Sequence, residues 1–219
     1  MLAKELISND ISPLSSKETG INALNMMDEY KVSHMPIVDS SVLVGLIFED
    51  DIFDMLNPER PIIESLQLIT KKYVYQNQHV YDVVKEFADN RLTLLPVVDM
   101  EMNYLGLIKM NTLIKSLSNF ASIHQSGGII MLSMRTHDYS LGHIAQLVEQ
   151  NGAIILSSYL YSIPETSTLE VHIKLNTMEI NPIIQTLERY NYQIINTIVD
   201  NKEEEMDDRF DNLMKYLSI

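Results

Sequence analysis

The side chains best placed to do chemistry are few, and the densest group is Glu49-Asp50-Asp51, three carboxylates in succession. Oxygen ligands of this kind suit a divalent cation. The same run at the start of a helix is stabilised by the positive end of the helix dipole with no ligand at all, and helix capping is the preferred reading. The histidines at positions 34, 79, 124, 137, 143 and 172 have no spacing that defines a metal set. His137 and His143 could approach one another around a loop, but a structural or exposed role is expected for most of the six. No GxxxxGK, GxGxxG or HExxH motif occurs, so the common phosphate-loop, dinucleotide and zinc-protease chemistries have no support. The expectation is a protein that is not an enzyme and needs no metal or cofactor. Gly127-Gly128 has the composition of a phosphate-cradling turn, yet no strand pattern precedes it. A flexible joint between two parts of the chain is expected there instead.

Composition narrows the partners. Of 219 residues, 46% are hydrophobic and 21% charged, the balance of a chain that folds around a core. The 16 Lys and Arg face 30 Asp and Glu, for a net charge of −14. Nucleic acid is not an expected partner, because phosphate binding needs clustered cations. The absence of cysteine removes disulfides and thiolate metal sites and fits a reducing, cytoplasmic setting. No apolar run approaches the ~20 residues that cross a bilayer, and the charged amino end (MLAKELISND) is unlike a signal peptide. Neither membrane insertion nor export is expected. Methionines could make an adaptable surface, but Met26, Met27, Met35 and Met55 fall at expected core positions.

The elements that must position these residues occur twice. Pro36-Ile37-Val38-Asp39 recurs as Pro96-Val97-Val98-Asp99, 60 residues later. Upstream, Ile21, Leu24 and Met27 have helical spacing, and Tyr81, Val84 and Phe87 repeat it at the same offset. Downstream, LVGLI (Leu43 to Ile47) matches YLGLI (Tyr104 to Ile108), each short enough for a buried strand and each with one glycine. Short amphipathic helices follow from Asp51 and from Asn111. Each unit reads strand, helix, strand, strand, helix. A unit of about sixty residues hides too little apolar area to stand alone, so the two copies are expected to pack face to face and leave a cleft between them.

From about residue 122 the pattern changes. An apolar strand (Ile129 to Met134) precedes Ser140, an expected N-cap ahead of Leu141, Ile144, Ala145 and Val148. Gly152 closes that helix, Ala153 to Tyr161 reads as a strand and Pro164 to Ser167 as a turn. Leu169 to Leu175 alternates apolar and polar residues without a break. Asn181-Pro182 predicts an N-cap and a first-turn proline, with Ile183, Ile184, Leu187 and Tyr190 as the buried face, and Ile194 to Val199 supplies a last strand. In the tail, Met206, Phe210, Leu213, Met214 and Leu217 share one helical side opposite Glu203, Glu204, Glu205, Asp207 and Asp208. A solvated helix is the preferred reading and a partner-binding helix the alternative.

The helix, the PIVD or PVVD strand, the LVGLI or YLGLI strand and the closing helix, given twice, resemble the tandem cystathionine-β-synthase (CBS) domain pair. Residues from about 127 resemble an ACT-type regulatory module, and the combination is similar to the acetoin-utilisation accessory proteins of bacteria. The implied fold class is α+β: a tandem CBS-domain pair plus a C-terminal ferredoxin-like (βαββαβ) ACT-type module. The implied boundaries are 1–60 and 61–121 for the repeats, 127–200 for the ACT-like module and 201–219 for an acidic amphipathic helix.

The resemblance implies regulation. A CBS pair takes an adenosyl ligand such as AMP, ATP or S-adenosylmethionine in its cleft, and an ACT module binds a small effector or mediates association, here as a homodimer. In the CBS family a Gly-hydrophobic-hydrophobic-Thr/Ser-x-x-Asp run ends the last strand. Its Asp, an acceptor-only group, receives hydrogen bonds from the ribose hydroxyls. The first copy here reads Gly45-Leu46-Ile47-Phe48-Glu49-Asp50-Asp51, keeping the carboxylate at Asp51 and replacing the hydroxyl by Phe48. The second reads Gly106-Leu107-Ile108-Lys109-Met110-Asn111-Thr112, losing both. Ligand contacts are therefore implied for Asp51, Phe48 and Lys109, and for His34 and Met35 at the start of the Pro36 strand. The implied effector loop is Asp138, Ser140 and Gly142, with Asp and Gly one residue further apart than the family's D-x-x-G.

Glu49 and Asp50 beside Asp51 repel a multiply charged phosphate unless Lys31, Arg91 or a metal offsets them. A neutral or cationic adenosyl ligand is expected there over ATP, while Lys109 could meet one phosphate. The alternative to a sensor is a scaffold whose degenerate clefts bind nothing and which recruits or regulates a partner enzyme. Loss of the second Asp favours it.

Overall fold

The computed structural model describes residues 1–120 and 122–199; the tail expected as a helix lies outside the described residues. The chain divides into two compact units, Met1–Leu117 and Ser118–Ile219.

In the first unit, one repeat contributes α1 (Gly20–Tyr30), β1 (His34–Asp39), β2 (Val42–Phe48) and α2 (Glu49–Phe53). The other contributes β3 (Val74–Tyr75), α3 (Val80–Asn90), β4 (Leu94–Val98), β5 (Tyr104–Lys109) and α4 (Met110–Phe120). The first strand of the first repeat is reduced to a bridge between Leu14 and Ile37, at the place where β3 pairs with β4 in the second. Thr19 caps α1 by accepting a hydrogen bond from the Asn22 N–H at 3.2 Å.

The buried helix faces lie one residue earlier than the apolar spacing predicts. Gly20, Ala23 and Met27 face the core in α1, and Val80, Val83 and Phe87 in α3. Ile21 and Tyr81 are 41% and 62% exposed. A count of large apolar residues passes over Gly20 and so sets the phase late. The glycine belongs to the buried stripe because a Cβ there would lie 2.9 Å from Ile52 Cγ2. Each helix ends on a left-handed residue, Lys31 or Arg91 (φ 55° and 51°), which turns the chain inward toward β1 or β4.

The two repeats are joined reciprocally. Leu46 of β2 exchanges backbone hydrogen bonds with Thr70, in the segment that leads into the second repeat (2.8 and 2.9 Å). Leu107 of β5 does the same with Ser8, in the segment that leads into the first (2.8 and 3.1 Å). The hairpin turns are tied equally: the Leu43 N–H donates to Met102 O at 3.1 Å, and the Tyr104 N–H to Ser41 O at 2.8 Å. One buried cluster draws on both halves, including Met35, Ile37, Leu46 and Ile47 with Leu94, Leu95, Val97 and Leu107. The halves therefore clasp each other, as their size requires.

The second unit runs β6 (Ile129–Arg135), α5 (Leu141–Glu149), β7 (Ile155–Ser162), β8 (Thr168–Leu175), α6 (Asn181–Arg189) and β9 (Gln193–Ile198). Its sheet is antiparallel in the order β7-β8-β6-β9. The alternation in β8 places Leu169, Val171, Ile173 and Leu175 in the core with Ile144, Leu147, Ile183 and Leu187 of the helices. Two details differ from expectation. The N-cap of α6 is Ile180, without a side-chain hydrogen bond, and Asn181 is already helical; the buried Ile180 side chain anchors the turn. Tyr190 is exposed because α6 stops at Arg189.

Gly127-Gly128, expected as a flexible joint, is buried and packed. The Gly128 N–H donates to Thr177 O and its carbonyl accepts from the Leu175 N–H, both at 2.8 Å. A Cβ on Gly127 would lie 1.8 Å from Leu175 O, so close backbone approach, not mobility, requires these glycines.

Ser140 caps α5 as expected, accepting from the His143 N–H at 3.3 Å. Ser140→Ala should destabilise this unit by about 1 kcal/mol and lower its thermal midpoint by roughly 5 °C. Calorimetry reads the shift, and a midpoint within a degree of wild type would contradict the capping role.

Candidate functional site

The functional residues expected from sequence are not gathered in one place. His34 and Met35 are fully buried at the start of β1. His34 Nε2–H donates to the carbonyl of Leu94 at 2.8 Å, which leaves Nδ1 as the acceptor, 3.2 Å from the Ser33 hydroxyl and 3.4 Å from that of Thr93. Ser33 and His34 thereby meet Thr93 and Leu94, their own counterparts 60 residues on. Burial holds the His34 imidazole below its ordinary pKa, against the smaller opposing effect of the Leu94 carbonyl. His34 is a fastener of the seam between repeats, and nothing in its surroundings leaves a nitrogen free for a ligand.

Phe48 packs its ring 4.8 Å from that of His34. Asp51 lies in the first turn of α2, where its carboxylate accepts from the Phe48 N–H at 3.0 Å. Glu49 and Asp50 are exposed beside it. The acidic run thus occupies a helix start, and among the described residues no group of three or more His, Asp or Glu could hold a metal ion. The carboxylate assigned by resemblance to a ribose is already used in capping.

The two repeats also leave a hollow between them. A hollow of about 330 Å³ is lined by Tyr30, Lys31 and Val32, at the end of α1, and by Thr93, Lys109 and Asn111 of the second repeat. Of the five residues implied for ligand contact only Lys109 is there. Lys31 pairs with Asp28 at 2.8 Å and Lys109 with Asp10. Tyr30, Val32, Thr93 and Asn111 were missed from sequence. The signal was present, because Thr93 is the repeat partner of Ser33 and Asn111 lies within the degenerate second motif.

The two aspartates of the PIVD and PVVD strands are structural. Asp39 accepts from the Ser15 hydroxyl and the Ser16 N–H, each at 3.1 Å. Asp99 accepts from the Asn103 side chain at 2.8 Å and the Glu101 and Asn103 N–H groups at 2.9 Å. Hydrogen bonding, from Ser16 above all for the first and Asn103 for the second, holds both carboxyls below the usual range.

In the second unit, Asp138 lines a cleft of about 540 Å³ with Arg135, His143, Tyr190, Tyr192 and Gln193. Burial pushes the Tyr192 phenol up, so its O–H remains a donor, 2.8 Å from His143 Nδ1. Ser140 is spent on the α5 cap and Gly142 is exposed with open space around it; neither lines the cleft.

Several known proteins are similar to about half of the chain. Inosine-5'-monophosphate dehydrogenase of Methanocaldococcus jannaschii is 28% identical over 116 residues, 52% of this chain and 23% of that enzyme. The chain thus spans about a quarter of that relative. A solved CBS domain pair/ACT domain protein from Thermotoga maritima is 18% identical, with a TM-score of 0.49, covering 54% of this chain and 98% of that one. The structure of CBSX2 in complex with AMP is 16% identical, with a TM-score of 0.45, covering 54% and 96%. A family model for the CBS domain matches residues 3–58 and again residues 63–119. With more than half its length matched in two consecutive copies, the chain belongs to the CBS domain family.

Proposed function

We propose that the chain is a non-catalytic regulatory protein whose CBS pair senses an adenosyl metabolite, with AMP, ATP and S-adenosylmethionine the candidates. The observation that carries this reading is the hollow where the repeats meet, lined from both halves and carrying Lys31 and Lys109. Its volume lies at the small end of the range for ligand pockets. A ligand lodged there touches both repeats, so it favours whichever packing of the pair it binds more tightly, which is how such a module reports a concentration. With lysines in place of acidic residues, this cleft suits an adenosyl ligand with a phosphate, whereas the Asp51 side does not.

The βαββαβ order of the second unit fits a ferredoxin-like, ACT-type module, as in the acetoin-utilisation accessory proteins. In this reading it takes a small effector in the cleft of Arg135, Asp138 and His143, or joins two chains into a homodimer in the cytoplasm. The second reading is a scaffold that recruits a partner enzyme. It is favoured by the use of Asp51 as a helix cap and by the packing of Phe48 on His34.

Calorimetric titration with AMP, ATP, S-adenosylmethionine and adenosine, paired with a thermal-shift scan, separates the two readings. AMP is expected to bind tighter than adenosine. At ~100 times its Kd it should add about 2.7 kcal/mol and raise the midpoint by several degrees. Lys109→Ala should remove the advantage of AMP. A flat response to all four compounds would replace the sensor by the scaffold.

A further inference from the structure

Lys109 ends β5, half-buried, where the first repeat has Phe48. Its ammonium is already paired with the carboxylate of Asp10, 99 residues away in sequence. Asp10 reaches it because Ser8, two residues earlier, is bound to Leu107 through two backbone hydrogen bonds. The Ser8 hydroxyl donates to one carboxylate oxygen of Asp10 and Lys109 to the other. The next residue, Met110, opens α4, whose positive end adds to the field of the ammonium. The chain therefore holds an anion of its own at Lys109, the lysine that the second repeat contributes to the cleft.

We propose that Asp10 is a specificity-determining residue, an internal competitor that a ligand's anionic group must displace to reach Lys109. This rests on the adenosyl-nucleotide reading of the same cleft. A phosphomonoester, close to dianionic at neutral pH, attracts the ammonium about twice as strongly as a monoanion at equal distance. The pair thus admits a terminal phosphate and turns away carboxylates, which gain nothing over Asp10. Neutral adenosyl ligands do not contest Lys109 and are indifferent to the pair. Hydrogen bonding from Lys109 and then Ser8 keeps the Asp10 carboxyl below its ordinary range, so it stays a competitor throughout the pH range in which the phosphate is ionised. The first repeat has no counterpart, since Phe48 supplies no charge.

Asp10→Asn removes the competitor and keeps the side-chain shape. In calorimetric titrations AMP should bind the variant about fivefold tighter than wild type, the upper end of what an exposed ion pair withholds. Adenosine should be unchanged, and the gain for AMP should shrink as salt is raised. Asp10→Ala should reproduce the gain, and amide protection at Ser8 and Leu107 reports that the segment is still seated. Equal AMP affinity in wild type and both variants would overturn the role of Asp10 and leave the cleft reading standing. Failure of every protein to bind either AMP or adenosine would overturn both.

Discussion

Gly45→Val should destabilise the repeat pair by about 3 to 5 kcal/mol. A Cβ at Gly45 would lie 2.5 Å from Ile69 Cγ2 and 2.8 Å from the carbonyl oxygen of Thr70. The oxygen is the one that accepts the Leu46 N–H, so the intruding side chain meets the backbone that joins the second repeat to the first. Overpacking alone costs about 1 to 3 kcal/mol, and the two Leu46–Thr70 hydrogen bonds add about 1 kcal/mol each if the segment lifts away. Urea denaturation followed by circular dichroism reads the loss, and the thermal midpoint should fall by roughly 10 °C. Gly106→Val is the internal control. Its Cβ would meet Asn9 Oδ1 and Ile7 Cγ2, both side-chain atoms, with backbone no closer than 3.2 Å at Ser8 O. Side chains can swing aside, but the φ of +138° at Gly106 strains any L side chain placed there, so the loss should be smaller than at Gly45 and still measurable. Equal and small effects at both glycines would contradict the reciprocal exchange of segments.

That contrast bears on what the sequence makes legible. The repeat, the PIVD and PVVD strands, the glycine in each following strand and the alternation of Thr168 to Leu175 all follow from local periodicity, and local periodicity survives folding. What crosses between repeats leaves no local trace. Nothing in the spacing of Asp10 and Lys109 announces their pairing, because it depends on Ser8 lying along Leu107. Gly127-Gly128 misleads for the same reason: glycines demanded by a close backbone approach and glycines of a loose joint look alike until the neighbour is seen. The candidate site is legible in part: the resemblance implied Asp51, Phe48, His34, Met35 and Lys109, and of these Lys109 lines the hollow between the repeats, beside Thr93, which no motif singles out.

His34 links the seam to pH. Its imidazole is fully buried, donates to the Leu94 carbonyl at 2.8 Å and is held below the pKa of about 6.5 that it has in the unfolded chain. Below that value the unfolded state binds a proton that the folded state refuses. The associated stability is therefore complete above about pH 6.5 and is lost as the pH falls toward the folded pKa, at no more than about 1.4 kcal/mol per pH unit. Asp39 and Asp99, whose carboxyls are depressed, contribute stability that is present above about pH 3.9 and lost only below it, so the two effects occupy separate windows. His34→Leu should remove the mildly acidic loss, leaving urea midpoints level between pH 7 and 5. It should also lower stability at pH 7 by about 1 to 3 kcal/mol, since the Leu94 carbonyl is left buried without its donor. An unchanged acid slope in the variant would place the titrating group elsewhere. With the expected result, the contact that holds the two repeats in register is also the one that acid loosens, and a ligand bridging the same repeats should resist that loosening, measurable as a shallower slope with AMP bound.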